Sequence, residues 1–103
     1  MITNTVLTTN ATSIFTSASD NGDAVSCIYF CNTSATQVTI NVYAVPAGHS
    51  ASTSNIIYDQ VVISGKDTFV CDMEKLFLDN GDSVQALCNT APVVAATVSS
   101  IGY

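Results

Sequence analysis

An alternation of apolar and polar residues within segment 36–45 constrains this chain more than any other feature. The apolar members are Val38, Ile40, Val42 and Ala44, and the polar members are Gln37, Thr39, Asn41 and Tyr43. Successive side chains of a β-strand point to opposite sides, so a period of two predicts a strand with one buried and one wet face. Pro46 ends this strand, because proline has no amide proton to donate to a neighbouring strand.

Similar short apolar segments recur along the chain, separated by turn signals rich in Gly, Asn, Asp and Pro. The other predicted strands are 3–8, 12–17, 24–32, 54–63, 67–71, 83–88 and 93–101, and residues 72–76 are predicted to form one helical turn. This rhythm predicts an all-β fold, a two-sheet antiparallel β-sandwich of Ig-like or jelly-roll type with seven to eight short strands. We expect one domain over residues 1–103, with 1–17 forming an N-terminal arm or edge strands.

The charge balance excludes several classes of partner. Lys66 and Lys75 are the only basic residues, and eight acidic residues give a formal net charge of −6. Proteins that bind nucleic acids or anionic membrane surfaces use clusters of Lys and Arg, which this chain lacks. The sequence therefore predicts neither nucleic acid nor membrane as a partner, and residues 1–5 do not resemble a signal peptide.

The four cysteines are predicted to be reduced and to act as small apolar residues. Cys27 and Cys31 lie about 13 Å apart if they share one strand, too far for a disulfide. Their spacing with Cys71 and Cys88 matches no zinc motif. A single cross-strand bridge that involves Cys71 or Cys88 remains the alternative.

The predicted strand 24–32 is apolar on both faces. Strict alternation places Val25, Cys27, Tyr29 and Cys31 on one side and Ile28 and Phe30 on the other. A sandwich strand normally has one polar outward face, so we expect Ile28 and Phe30 to be covered by a loop, by the N-terminal segment, or by another subunit. The predicted interface consists of Ile2, Val6, Leu7, Ile28 and Phe30, with the N-terminal segment pairing with the sheet edge of a partner.

The tetrapeptide Asp-Asn-Gly-Asp occurs twice, at 20–23 and at 79–82. Asn-Gly favours tight turns, because both residues tolerate a positive φ. Clustered carboxylates also suit calcium, so Asp20, Asp23, Asp79 and Asp82 form a weaker calcium hypothesis, although the spacing of an EF-hand is missing. Apart from this alternative, no metal or other cofactor is predicted.

No pattern in the chain predicts a catalytic site. His49 is the only histidine and lies in a predicted loop, without the sequence context that activates a nucleophile. Apart from Asp59 in the predicted strand 54–63, the acidic residues fall in or beside predicted turns, where water keeps them ionised, so a raised carboxyl pKa of the kind that glycosidases use is not expected. We therefore predict that the protein is not an enzyme.

Six segments spread over the chain from about Ala24 onward carry a family resemblance: 26–34 (SCIYFCNTS), 38–48 (VTINVYAVPAG), 56–58 (IIY), 67–70 (DTFV), 75–86 (KLFLDNGDSVQA) and 93–103 (VVAATVSSIGY). In these segments the chain resembles small virion structural proteins of tailed bacteriophages. The order of these elements is shared with that family as a unit: a strand, a Val-Pro-x-Gly loop, a second strand, the motif Leu-x-Leu-x-x-Gly-Asp, and a third strand. The cysteines depart from the family pattern, and the resemblance carries over no catalytic residue.

The resemblance implies a β-sandwich capsid decoration, or cement, protein that binds the lattice of the major capsid protein and stabilises the shell. Such a protein is made in the bacterial cytoplasm, resides on the capsid exterior and contacts other virion proteins as a homo-oligomer, a trimer being one option. One alternative is an accessory sandwich of the tail, neck or baseplate. Another is a carbohydrate- or receptor-binding module, in which Tyr29, Tyr43, Tyr58 and Tyr103 would stack on sugars.

Overall fold

The computed structural model describes residues 1–72 and 76–102, and this part of the chain forms nine β-strands and no helix. The strands are β1 (Ile2–Val6), β2 (Thr12–Thr16), β3 (Asp23–Asn32), β4 (Val38–Val45), β5 (Ile56–Ile63), β6 (Thr68–Cys71), β7 (Leu76–Leu78), β8 (Ser83–Cys88) and β9 (Val94–Gly102). None of the described elements is a helix that could cross a bilayer. The predicted helical turn at 72–76 falls largely on residues 73–75, outside the described residues.

Two antiparallel sheets pack against each other, which confirms the predicted β-sandwich. The five-stranded sheet has the order β1-β9-β3-β6, and β7 pairs with the first residues of β3 along the same edge that β6 uses further on. The four-stranded sheet has the order β2-β8-β4-β5. The prediction of seven to eight strands is close to the nine observed. The first two strands are both edge strands, β1 in one sheet and β2 in the other.

The core lies between the two sheets and consists of aliphatic and aromatic side chains from both of them. Its largest fully buried members include Phe30, Ile28 and Val25 on β3 and Ile40 and Val42 on β4. Burying each such side chain contributes about 1.5–3 kcal/mol relative to leaving it in water. The inward side of β4 is therefore the apolar set that the alternation predicts.

A β-bulge in β3 decides which of its residues face the core. Val25 pairs with Ser100 but Cys27 pairs with Ser99, so Ser26 is an extra residue in this strand. A bulge shifts the inward–outward alternation by one residue. As a result Val25 and Ile28 both point inward, and Cys27 and Tyr29 share the outer side.

A buried asparagine joins the two sheets at the end of β3. Asn32 is fully buried, and its Nδ2 donates hydrogen bonds to the carbonyl oxygens of Thr36 (2.7 Å), Ile63 (3.2 Å) and Ser64 (3.2 Å). Its Oδ1 accepts hydrogen bonds from the backbone N (3.0 Å) and the Oγ (2.8 Å) of Ser34. Every polar atom of this side chain is used, as burial of an amide requires.

Candidate protein-interaction surface

The outer side of the five-stranded sheet can be traced row by row across its strands. In antiparallel pairs, directly opposed residues point to the same side of the sheet. The rows on this side are Ile2–Ser99–Cys27, Asn4–Thr97–Tyr29–Val70, Val6–Ala95–Cys31–Thr68 and Ile101–Ala24–Phe77. Each row crosses at least three strands, so these side chains form one continuous surface.

Most of the exposed large hydrophobic side chains of the described residues lie on this surface. Nine such side chains are exposed, and six of them belong to the rows above: Ile2, Val6, Tyr29, Val70, Phe77 and Ile101. We call this surface, defined by these six residues and the small residues between them, the apolar face. A contiguous exposed apolar patch on a soluble protein usually marks a site of association.

The apolar face contains no Asp, Glu, Lys or His within its rows. Two of its polar side chains bond to each other, since Thr97 Oγ1 donates to Asn4 Oδ1 at 2.9 Å. Asp72 follows directly after β6 and is the charge whose field reaches Tyr29. A surface of this kind loses few hydrogen bonds to water when another protein covers it.

Tyr29 and Cys27 lie side by side on the apolar face. A side-chain hydrogen bond with Cys27 and the charge of that thiol when ionised raise the pKa of Tyr29. Tyr29 therefore keeps its proton near neutral pH and adds no charge to the face.

All four cysteines have free thiols, as predicted, and the alternative of a cross-strand bridge is not observed. Cys71 and Cys88 are buried, and burial raises the pKa of both thiols, that of Cys71 to about 12. A buried thiol of raised pKa is a poor nucleophile, because the thiolate is the reactive form. Cys71 and Cys88 therefore behave as small core residues.

Three residues of the predicted interface lie in the core instead. Ile28, Phe30 and Leu7 each have 0% of their surface exposed, so the prediction that they contact a partner is wrong. The bulge at Ser26 turns Ile28 and Phe30 toward the opposite sheet, and neither a loop nor another subunit is needed to cover them. Leu7 follows β1, where its N donates to Val94 O at 2.9 Å, and its side chain closes the core.

The other two members of the predicted interface, Ile2 and Val6, lie on the apolar face. The residues that the sequence prediction missed there are Val70, Phe77 and Ile101, together with the outward Tyr29. A signal for Val70 existed, because Thr68–Cys71 places Phe69 and Val70 on opposite sides of one short strand. An apolar residue on each side of a strand indicates that the outer side is covered or binds something.

The four aspartates of the calcium hypothesis lie in or beside the two turns, where the carboxylates of Asp20, Asp23 and Asp82 accept hydrogen bonds. Asp82 accepts hydrogen bonds from the backbone N of Ala47 (2.8 Å, Oδ1) and of Asp79 (3.0 Å, Oδ2). Asp23 is only 3% exposed, and its Oδ2 accepts a hydrogen bond from Ser17 Oγ at 2.6 Å. Asp20 Oδ1 accepts a 3.4 Å hydrogen bond from Asn80, so the two turns lie close together. Among the described residues, no three metal-binding side chains form a group.

The remaining candidate residues do not form a site. His49 is exposed, and its Nδ1 lies 3.1 Å from Ala47 O in its own loop. Tyr29 and Tyr43 belong to outer faces of different sheets, while Tyr58 packs edge-on against Phe69 with ring centroids 5.6 Å apart. Tyr103 lies outside the described residues. Thus Tyr29, Tyr43 and Tyr58 do not build a common stacking platform for a sugar.

No protein-family model, no curated protein and no solved structure matches this chain.

Proposed function

We propose that this chain is a non-enzymatic structural protein that acts by binding other proteins of an assembly through the apolar face. The observation that carries this proposal is that, among the described residues, six of the nine exposed large hydrophobic side chains lie on one side of one sheet. Removing water from a surface that is mainly apolar, and on which Thr97 and Asn4 already bond to each other, lowers the free energy. Packing against another protein surface would supply that gain.

Within this proposal, the assembly is the virion of a tailed bacteriophage and the chain is a capsid decoration protein on the lattice of the major capsid protein. This more specific statement is supported by the sequence resemblance alone. A location in the tail, neck or baseplate fits the same surface and is separated from the capsid by the number of copies per particle.

The proposal is tested with purified particles from which this protein has been deleted. Recombinant chain is added back, and bound copies are counted by gel densitometry against the major capsid protein. We expect the wild-type chain to bind in proportion to the capsid subunits and Val70→Arg to lose at least tenfold in affinity, because a charge would be buried without a partner. Binding in proportion to a tail ring would move the proposed location to the tail.

Val62→Arg is the matched control. Val62 is 54% exposed and Val70 is 44% exposed, but Val62 lies on the outer side of the four-stranded sheet. The control should bind like the wild type. If Val70→Arg also binds like the wild type, or if the wild-type chain does not bind particles at all, the proposed function is wrong.

A further inference from the structure

We propose that the free edge of β1 receives an extended segment of a partner protein, which pairs with β1 as a further strand of the five-stranded sheet. This inference rests on the proposed function, because a protein of the same assembly would supply the segment. β1 pairs with β9 of its own chain along one edge, so it is not a detached arm. Its other edge is open, because β1 is the first strand in the order of its sheet.

The hydrogen bonds at the two ends of β1 show which of its backbone groups are already used. Met1 and Ser100 exchange two bonds, from Met1 N to Ser100 O (2.6 Å) and from Ser100 N to Met1 O (2.9 Å). Leu7 N donates to Val94 O at 2.9 Å. In an antiparallel pair, every second residue bonds to the neighbouring strand. The odd-numbered residues of this segment therefore bond to β9.

The even-numbered residues Ile2, Asn4 and Val6 present their N–H and C=O groups to the free edge. All three are exposed, whereas Thr3 and Thr5 between them are half-buried. Donors and acceptors that alternate at the spacing of a strand are matched by another extended backbone, which bonds to them in register. The side chains of the same three residues lie in the rows of the apolar face, so an added strand would extend that face.

Two other edge strands carry features that oppose such pairing. Natural sheets protect their edges with charges, bulges, proline or very short strands. In β2, the register against β8 shifts between Ser13 and Phe15. In β5, the register against β4 shifts twice, Gln60 has a φ of 52°, and Asp59 is exposed. Both edges of the four-stranded sheet are therefore irregular.

The edge opposite β1 in the five-stranded sheet is also protected. It consists of β6 and β7, which have only four and three residues, and the exposed Asp67 and Asp72 flank β6. In contrast, β1 keeps a regular register with β9 over all five of its residues and contains neither a charge nor a proline. β1 is thus the edge that is open to a further strand.

The charge of the chain indicates what kind of segment would pair there. The formal net charge of −6 disfavours an acidic segment and favours a basic one, while β1 itself adds no charge. Side chains of the added strand that lie opposite Ile2 and Val6 point to the same side as these residues. We therefore expect a segment of about five residues that has apolar side chains at alternate positions and basic flanks.

Nuclear magnetic resonance of the labelled chain tests the edge with a synthetic peptide, Lys-Lys-Val-Thr-Val-Thr-Val-Lys-Lys. We expect amide exchange at Ile2, Asn4 and Val6 to slow on binding, and exchange at Thr3 and Thr5 to stay as it is, because these two amides already bond to β9. A matched peptide with Asp in place of each Lys should bind at least fivefold more weakly. Unchanged exchange at the three outward amides with about 5 mM of the basic peptide would overturn the inference.

Asn4→Pro, with Asn4→Ala as its matched control, tests the backbone directly. Proline removes the outward N–H of this position without breaking a bond to β9, whereas alanine keeps that N–H. Asn4→Pro should weaken peptide binding at least tenfold, and Asn4→Ala should leave it within about twofold. Circular dichroism checks that both variants are folded. Equal effects of the two substitutions are incompatible with strand addition.

Particle binding separates this inference from the proposed function. Asn4→Pro should bind the depleted particles at least tenfold more weakly than Asn4→Ala. If both bind like the wild type while Val70→Arg does not, strand addition is wrong and the proposed function stands. If the wild type binds the peptide at β1 but no particles, the reverse holds. If sedimentation shows that the chain alone self-associates and this slows exchange at the same amides, the occupant is a second copy and the inference is wrong.

Discussion

The two outer faces of the sandwich differ in the chemistry of their side chains, although both belong to antiparallel sheets of similar size. The four-stranded sheet presents rows such as Ser13–Gln85–Tyr43 and Asn41–Leu87, and Asn41 Nδ2 donates to the Tyr43 hydroxyl at 3.3 Å. The apolar face presents isolated large hydrophobic groups around small residues. The outer face of the four-stranded sheet thus mixes polar groups with apolar side chains such as Val62 and Leu87, whereas the apolar face holds most of the exposed large hydrophobic side chains of the described residues.

The largest expected effect separates the two sides of β3. Phe30→Ala should lower the free energy of unfolding by about 3–5 kcal/mol, because it leaves a cavity in the core. The adjacent Tyr29→Ala should cost the monomer about 1 kcal/mol or less, because Tyr29 is outward and partly exposed. Urea unfolding in dilute solution measures both. Equal losses would show that the apolar face is part of the stabilising core and not a surface held for a partner.

The second expected effect contrasts a buried amide with a surface amide. Asn32→Ala should cost about 3 kcal/mol, because it strands buried carbonyl and amide groups at the junction of the sheets. Asn41→Ala, on the outer side of the four-stranded sheet, should cost about 1 kcal/mol, since water can replace its bonds to Gln60 N and Tyr43. Denaturant unfolding compares them, and a loss for Asn32→Ala as small as that for Asn41→Ala would contradict the role given to this residue.

The third effect compares the two Asp-Asn-Gly-Asp turns, one leading into each sheet. Gly22 and Gly81 have φ values of +85° and +94°, where any other residue is strained. A Cβ on Gly22 would lie 2.4 Å from the ring of Phe77, whereas one on Gly81 would lie 3.0 Å from the Ala47 methyl. Gly22→Ala should therefore cost about 2 kcal/mol and Gly81→Ala about 1 kcal/mol. Thermal melts of both variants give the order, and the reverse order would be inconsistent with the packing of Phe77 on the first turn.

The fourth effect concerns alkaline pH. The pKa of Cys71 is raised from 9.0 to about 12 in the folded protein, so only the unfolded chain loses this proton between those values. Stability from this group is complete below pH 9 and declines as the pH rises toward 12. Cys71→Ala should flatten the decline in unfolding midpoint measured from pH 8 to pH 11, though it lowers stability at neutral pH through lost packing. An unchanged alkaline slope would argue against burial as the cause of the raised pKa.

The sequence was sufficient to predict the sandwich, because alternation in segments such as 36–45 is a local signal of one buried face. It was not sufficient to predict which side chains of β3 face the core, because the extra residue Ser26 shifts the inward–outward alternation. No residue type or sequence pattern near Ser26 indicates this bulge. That shift explains why Ile28 and Phe30 were predicted to face outward. Val70 and Ile101 come from distant parts of the chain, and only the pairing of β6, β3 and β9 places them on one face. The candidate site is therefore a property of register, which a single sequence does not display.

The central position of β9 also determines the order in which this fold can form. β9 follows all other strands along the chain, yet it lies between β1 and β3 and pairs with both. During synthesis, the edges of β1 and β3 that pair with β9 stay unpaired until β9 has left the ribosome. Contacts between residues as distant as Ile2 and Ser99 make folding slow, since a long loop must close before they form. In the meantime both strands present open edges, so a chain stalled before β9 would be the form most prone to aggregate.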